Sequence, residues 1–362
     1  MKRVIIVGGG YAGVALARAM DGVAEVYLVE ARDRFVHNVA AIRSVVTPAL
    51  LEQILIPYNR LLRHGRVIQG KVIAATEDGV VLSDQQHIEA DIVVVATGSR
   101  YAYPFKPQNE STEAFAEGIH NVHGSLLTHK KIAIVGGGAV GIELAGEIAT
   151  AYPEKQIALI ADSTSLMPDY PTRFGERLAN QLRDKGVSLH LGLRARNLEF
   201  LDRAYVGSLV VGDGIYGPRL VVPAIGAKPR TDLFHDMPGA TFDSSGRVEV
   251  DAWLRPASAQ RLFAFGDAAA TGDPMTIVAI TRQAPWLTKT LKAFLAGDRV
   301  EAQPIYKPWR TRGILVPLGP RDGASMLPVL RDGVMVGDCP TAMIKGRKLF
   351  IPRYRKDFGY AA

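Results

Sequence analysis

One residue of the 362 is a cysteine, Cys339. A single thiol excludes any intramolecular disulfide and any metal site built from several thiolates. The eight histidines are scattered and make no ligand-like spacing with carboxylates, so no metal is expected. Long apolar runs are also missing. The longest, "DIVVVATG" and "LVVPAIGA", fall far short of the roughly 20 residues a membrane-spanning helix needs. The opening "MKRVIIVGGG" has basic residues before an apolar stretch, but that stretch is four residues long and no cleavage pattern follows. It reads as a first buried strand, and the expected location is the cytoplasm, with peripheral contact to the inner face of a membrane as the alternative. No low-complexity segment or long linker interrupts the chain. With 48% apolar and 22% charged residues, it has the composition of an ordinary globular protein with room for two or three cores.

What is present begins with a repetition. "VIIVGGGYAG" at residues 4–13 returns 128 residues later as "IAIVGGGAVG", with six of ten positions identical, all four glycines included. Each copy runs from a short apolar stretch through glycines into a helix-period segment and then a second apolar stretch, "EVYLVE" or "QIALIAD". Short apolar runs alternating with helical pattern predict parallel strands in an α/β sheet. Pro153 marks the end of the second glycine-led helix. The next segment places Phe174, Leu178 and Leu182 four apart on one helical face, with Gly186 at the stop. "DIVVVATGS" and "LVVPAIGAKPR" echo one another, and "RLFAFGDAAA" forms a third strand-and-turn signal. From about residue 303 the pattern changes to short strands and basic turns. The expected division is a first dinucleotide unit at 1–108 and 240–302, a second at 109–239, and a small α+β cap at 303–362.

The glycines have a chemical reading. Gly8, Gly10 and Gly13 fit G-x-G-x-x-G directly after a strand, and Glu30 ends the following strand. The first glycine permits the tight turn, the second lets a pyrophosphate approach the backbone, and the third lets the helix pack on the sheet. The phosphates then rest on free N–H groups at the positive helix end, and Glu30 accepts from the adenosine ribose. Gly136, Gly138 and Gly141 repeat the pattern. The acid beside its second strand is Asp162, which would repel a 2′-phosphate and favours NADH, while Ser163 and Thr164 leave NADPH as the alternative. Two dinucleotide sites in one chain imply electron passage between two cofactors in near contact. A nicotinamide and a flavin, NADH and FAD, meet that need. Asp267, after Gly266, would hold the ribityl chain of the flavin. Thr97 and Gly98, and Gly226 in the echoing turn, complete the expected cofactor-binding set.

These motifs resemble the two-dinucleotide-domain flavoproteins: disulfide reductases, type II NADH dehydrogenases and apoptosis-inducing-factor relatives. Disulfide exchange needs a redox thiol pair, which this chain lacks, and no histidine follows His235 to act as a C-terminal base. "RFVHNVAAIRS", "AYPEKQIALI", "FAFGDAAA", "YKP", "GPRDGA" and "MIKGRKLF" are more narrowly similar to the ferroptosis-suppressor branch, the apoptosis-inducing-factor homologues that reduce ubiquinone and related quinones with NAD(P)H. The resemblance covers nearly the whole chain. It implies that Glu143 in "GIE" serves nicotinamide binding and that Asn38 and Arg43 lie in the flavin-side loop. It also implies that Lys345 and Phe350 stand near the flavin and the quinone entrance. Two departures stand out. The chain begins Met-Lys-Arg where animal members begin Met-Gly and are lipidated, so N-myristoylation is not expected. "WRTRGILVP" also replaces a smoother apolar run.

Charge is unevenly placed. Residues 306–362 hold eleven Lys/Arg against four Asp/Glu, while the rest of the chain holds 32 of each. A basic end mixed with Leu, Phe, Ile and Tyr suits a solvated face, or peripheral contact with an anionic membrane. It matches no nucleic-acid-binding module, and nucleic acid is not an expected partner. The expectation is an FAD-dependent NAD(P)H oxidoreductase with a small quinone-like acceptor, in which Glu143 places the nicotinamide and Lys345 stabilises charge on the acceptor oxygen. A ferredoxin-type or pathway-specific reductase, or a slow redox-sensing interaction protein, are the alternatives.

Overall fold

The computed structural model describes residues 1–257, 259–330 and 332–361, and its architecture is α/β, with two sheets built around parallel strands and a smaller antiparallel cap. The first sheet runs 262–264, 92–95, 3–7, 25–30, 66–69, with every neighbour parallel. Its central strand shows no side-chain exposure at Val4, Ile5 and Ile6, as expected where both faces are covered. From Gly10 the chain enters helix α1 (Tyr11–Met20), and helix α2 (Asn38–Ser44) follows the second strand and a short strand at Arg34–Val36.

Helix α3 (Thr112–Thr128) leads into the second sheet, whose order is 188–191, 156–161, 131–135, 214–223, 205–211, 195–196. Strand 131–135 sits between two parallel neighbours, as 3–7 does in the first sheet, while 205–223 forms an antiparallel hairpin at the outer side. Helix α4 (Ala139–Ala151) springs from the second glycine turn and buries Gly141 through Ala149 almost without interruption. Helix α5 (Thr172–Asp184) buries Phe174, Leu178 and Leu182 completely, and Gly186 follows it at φ +80°, the conformation that stop requires. The first sheet is closed by 262–264, and helix α6 (Ile277–Leu295) packs on α1.

The C-terminal segment is the α+β cap expected, with more helix than its short strands and basic turns suggested. Three antiparallel strands, 314–317, 323–327 and 334–336, are followed by a short helix at Asp338–Thr341, one turn of π-helix at Ala342–Gly346, and helix α7 (Ile351–Asp357). The basic tail is therefore mostly helical and partly internal. Ile351, Tyr354 and Phe358, spaced three and four apart, turn inward because that spacing makes one helical stripe. Phe358 packs on Phe35 with ring centroids 4.9 Å apart, and Tyr354 meets Tyr11 at 5.1 Å. Arg347, Lys348, Arg353 and Lys356 remain exposed, whereas Lys345 is buried.

A buried ion pair joins the two units. Arg43 of α2 places Nε 2.9 Å and Nη2 2.7 Å from the carboxylate of Glu147 on α4. Removing one partner of such a pair strands a charge in a low-dielectric interior, at about 3–5 kcal/mol, whereas replacing both by apolar groups is close to neutral. Arg43→Ala is expected to lose stability in that range, and the double variant Arg43→Met/Glu147→Leu to recover most of it. Urea unfolding of the three proteins measures both.

Candidate functional site

The two glycine turns divide their work among the same three positions. Gly8 has φ +104°, and a Cβ there would lie 2.5 Å from the Ala96 carbonyl oxygen. A Cβ on Gly13 would lie 1.8 Å from the oxygen of Gly8, so α1 packs against its own turn only because that side chain is missing. Gly10 is different, since a Cβ there meets no protein atom within 4 Å. The second turn repeats this: Gly136 has φ +133° and is closed by Ala224, Gly141 is closed by Gly136, and Gly138 is open. Two of the glycines in each turn are thus explained by the fold and the third by space kept free in front of a helix N-terminus, where a phosphate binds.

The first turn opens into a cleft with an empty volume of about 1500 Å³, its open mouth included. Gly8, Gly10, Glu30, Asn38, Thr97, Gly98 and Asp267 from the first unit line it, together with Glu143 of α4 and Lys345 and Phe350 of the cap. Several groups in it have capacity to spare. Asn38 Oδ1 is buried without a partner, and so is Arg32 Nε. The Glu30 carboxylate accepts from Gly9 N at 2.6 Å and pairs with Arg32 at 2.9 Å, which fixes it at the strand end. Asp267 accepts from Ser99 Oγ at 2.6 Å and lies 3.4 Å from Lys106 Nζ. Thr97 Oγ1 donates to the Arg230 carbonyl at 2.6 Å, which braces the turn at Gly98. Past Glu30 the cleft continues into a second cavity lined by Arg32, Lys71 and Arg230. A long, bent dinucleotide with a phosphate centre and a ribose near Glu30 fits this donor set.

At the other end of the cleft lies a buried ion pair. Lys345 Nζ is 2.7 and 2.9 Å from the two Glu143 oxygens and 3.0 Å from the Leu315 carbonyl. All three ammonium protons are therefore engaged. Burial holds the Glu143 carboxyl above its ordinary value of 4.5, with Lys345 opposing the shift. Lys345 rides on the π-turn, a local widening often found at functional sites.

Other expected residues lie elsewhere. Arg43 does not line the cleft, because Glu147 draws it behind the cleft wall. Gly136, Gly138, Gly141, Asp162 and Gly226 gather at the second turn and the strand ends beside it, with Asp162 and Gly226 exposed. Gly266, at φ +76°, backs Asp267 and donates its N–H to Gln283. Two residues without a sequence signal, Lys106 and Tyr11, line the cleft, and His37 stands behind it in contact with Tyr11. Lys106 had no motif to mark it, and the contact between Tyr11 and His37 depends on tertiary packing.

The glycine geometry separates binding from folding. Gly10→Ala is expected to fold with a stability within about 1 kcal/mol of wild type, yet to be purified without yellow colour. Gly13→Ala should lose about 3 kcal/mol or more through the clash with Gly8. Thermal unfolding and the visible absorbance spectrum of both variants distinguish the two roles.

Residues 2–284 match the family model described as pyridine nucleotide-disulphide oxidoreductase. Apoptosis-inducing factor homolog B of Dictyostelium discoideum is 28% identical, over 98% of this chain and 96% of that protein. Ferroptosis suppressor protein 1 of Homo sapiens is 27% identical, over 96% of this chain and 93% of its own length. Among solved structures, the water-forming NADH oxidase from Lactobacillus brevis superposes with a TM-score of 0.65 at 20% identity, covering 90% of this chain and 76% of that one. The chain belongs to the pyridine nucleotide-disulphide oxidoreductase family, as an NAD(P)H-dependent flavoprotein oxidoreductase, and is similar over nearly its whole length to apoptosis-inducing-factor homologues and ferroptosis suppressors.

Proposed function

We propose that this protein is an FAD-dependent NADH:quinone oxidoreductase, carrying out NADH + H⁺ + quinone → NAD⁺ + quinol. The observation that carries this reading is the convergence on one cleft of the first glycine cradle, the α4 carboxylate Glu143 and the cap cation Lys345. The bound flavin would supply two-electron chemistry, which no side chain here can. Gly8, Gly10, Glu30, Asn38, Thr97, Gly98 and Asp267 would hold it. Gly136, Gly138 and Gly141 would seat the donor's pyrophosphate, with the exposed Asp162 favouring NADH over NADPH. Glu143, at the cleft end of α4, would accept from the donor's carboxamide. A quinone-type acceptor is favoured by the apolar wall that Val36, Val39, Ile42, Val140, Ile314 and Phe350 contribute beside Lys345. A fixed ammonium in that wall stabilises negative charge developing on an acceptor oxygen.

Two variants test this division of labour. Glu143→Ala should raise the NADH KM about 10- to 100-fold, since a charged hydrogen bond is worth about 1.5–3 kcal/mol, while FAD stays bound. Lys345→Ala should slow reoxidation of the reduced protein by a short-chain quinone more than its reduction by NADH, as stopped-flow absorbance measures. If the substitution slowed reduction more than reoxidation, the acceptor assignment would fail.

The raised Glu143 carboxyl adds a pH signature. As pH falls the carboxylate is lost at a value above 4.5, earlier than for a free glutamate. The kcat/KM for NADH should therefore show an acid limb above that value, and Glu143→Gln, which cannot ionise, should lack it.

A further inference from the structure

The segment that carries Phe350 into the cleft wall holds a backbone conformation that its own residues disfavour. Leu349 (φ 48°) and Phe350 (φ 61°) are consecutive left-handed residues, neither of them glycine, and only Arg347 and Lys348 separate them from the π-turn of Lys345. L side chains crowd the backbone in that region, so contacts from outside the segment must hold it there.

His37 supplies such a contact. It is fully buried, with Nε2 2.6 Å from the Leu349 carbonyl oxygen and Nδ1 2.9 Å from the Tyr11 hydroxyl. A carbonyl only accepts, which sets the tautomer: Nε2–H donates to Leu349, and Nδ1 accepts from Tyr11. The Tyr11 oxygen accepts in turn from Val39 N at 3.1 Å. The resulting line of bonds runs from the first residue of α1, at the glycine cradle, to the residue before Phe350. His37 itself is absent from the cleft lining, so it does not touch what binds there. Burial, reinforced by the nearby Lys345, lowers its pKa to about 4, so the ring stays neutral across the ordinary working range and the bond pattern with it.

We propose that His37 is a positioning residue for the acceptor half of the reaction, its bond to the Leu349 carbonyl seating Phe350 and Lys345 in the cleft wall. The proposal rests on the reading of the cap as the acceptor wall.

Three substitutions test it. The amide nitrogen of Gln has the reach of imidazole Nε2, whereas that of Asn has the reach of Nδ1 and falls short of Leu349. His37→Ala and His37→Asn, loaded with FAD, should reduce with NADH at close to the wild-type rate. Both should reoxidise with a short-chain ubiquinone about tenfold more slowly or worse, the scale on which small misplacements act, and His37→Gln should recover most of that loss. A second readout needs no turnover. Arg347 and Lys348 are exposed next to the strained pair, so trypsin should cut after Lys348 sooner in His37→Ala and His37→Asn, with the remaining sites unchanged.

Wild-type reoxidation by the Asn variant, or equal impairment of the Gln and Asn variants, would overturn the proposal. Should wild type itself fail to react with quinones, the acceptor reading is lost, and the cleavage pattern alone decides on His37. Selective cutting after Lys348 would then uphold its hold on the segment, and an unchanged digest would refute it.

Discussion

Helix α4 sets the terms for the rest of the site, because it buries two carboxylates one turn apart. Glu143 and Glu147 are each about 5% exposed, and like charges at that spacing repel. Each carboxylate is met by its own cation, and the two cations come from different places. Arg43 reaches Glu147 from the first unit, and Lys345 reaches Glu143 from the cap. One helix thus ties together the part that would cradle the flavin, the part that would cradle the donor, and the cap. If the pairing were exchanged for apolar packing, the three parts would still cohere, but the charges at the cleft end would be gone. The ion pairs are therefore better explained by what they place than by what they stabilise.

The glycines obey a similar economy. Within each turn the fold accounts for the first and third, whose Cβ atoms would strike backbone, and says nothing for the second. An unfilled space that recurs in both copies, each in front of a helix N-terminus, is the room a bound phosphate needs. The orphaned oxygen of Asn38 belongs to the same class of observation, a buried polar atom whose partner does not come from the chain.

What the sequence made legible was whatever depends on neighbours along the chain. The apolar runs at 4–7 and 132–135, the stripe of Phe174, Leu178 and Leu182, and the stop at Gly186 are all local patterns, and each reappears in the fold. The pairing of Arg43 with Glu147 spans 104 positions, and that of His37 with Leu349 spans 312. No periodicity reports such contacts, because they are set by how sheets and cap stack. Arg43 was expected at the flavin and is held instead by an acid that nothing in its own segment announces. Helix α7 is the intermediate case. Its inward stripe of Ile351, Tyr354 and Phe358 was visible, but the surrounding cations drew the reading toward an exposed face. Amphipathic helices present both signals at once, and the spacing of the apolar residues is the one that fixes which side turns in.

Lys345 shows how a buried ion pair constrains chemistry. Its ammonium has three protons, and Glu143 and the Leu315 carbonyl use them all. It has no donor to offer an incoming oxygen until one of these bonds is released. Giving up the carboxylate would bare two charges in a dry interior, a loss of several kcal/mol. Giving up the carbonyl leaves one neutral acceptor unsatisfied, at about 1–3 kcal/mol, which a bond to a charged oxygen offsets. Rotation away from Leu315, with Glu143 retained, is thus the inexpensive route by which this cation reaches anything in the cleft. On the proposed reading Glu143 would anchor the acceptor-side cation while also facing the donor, so one carboxylate would serve both half-reactions.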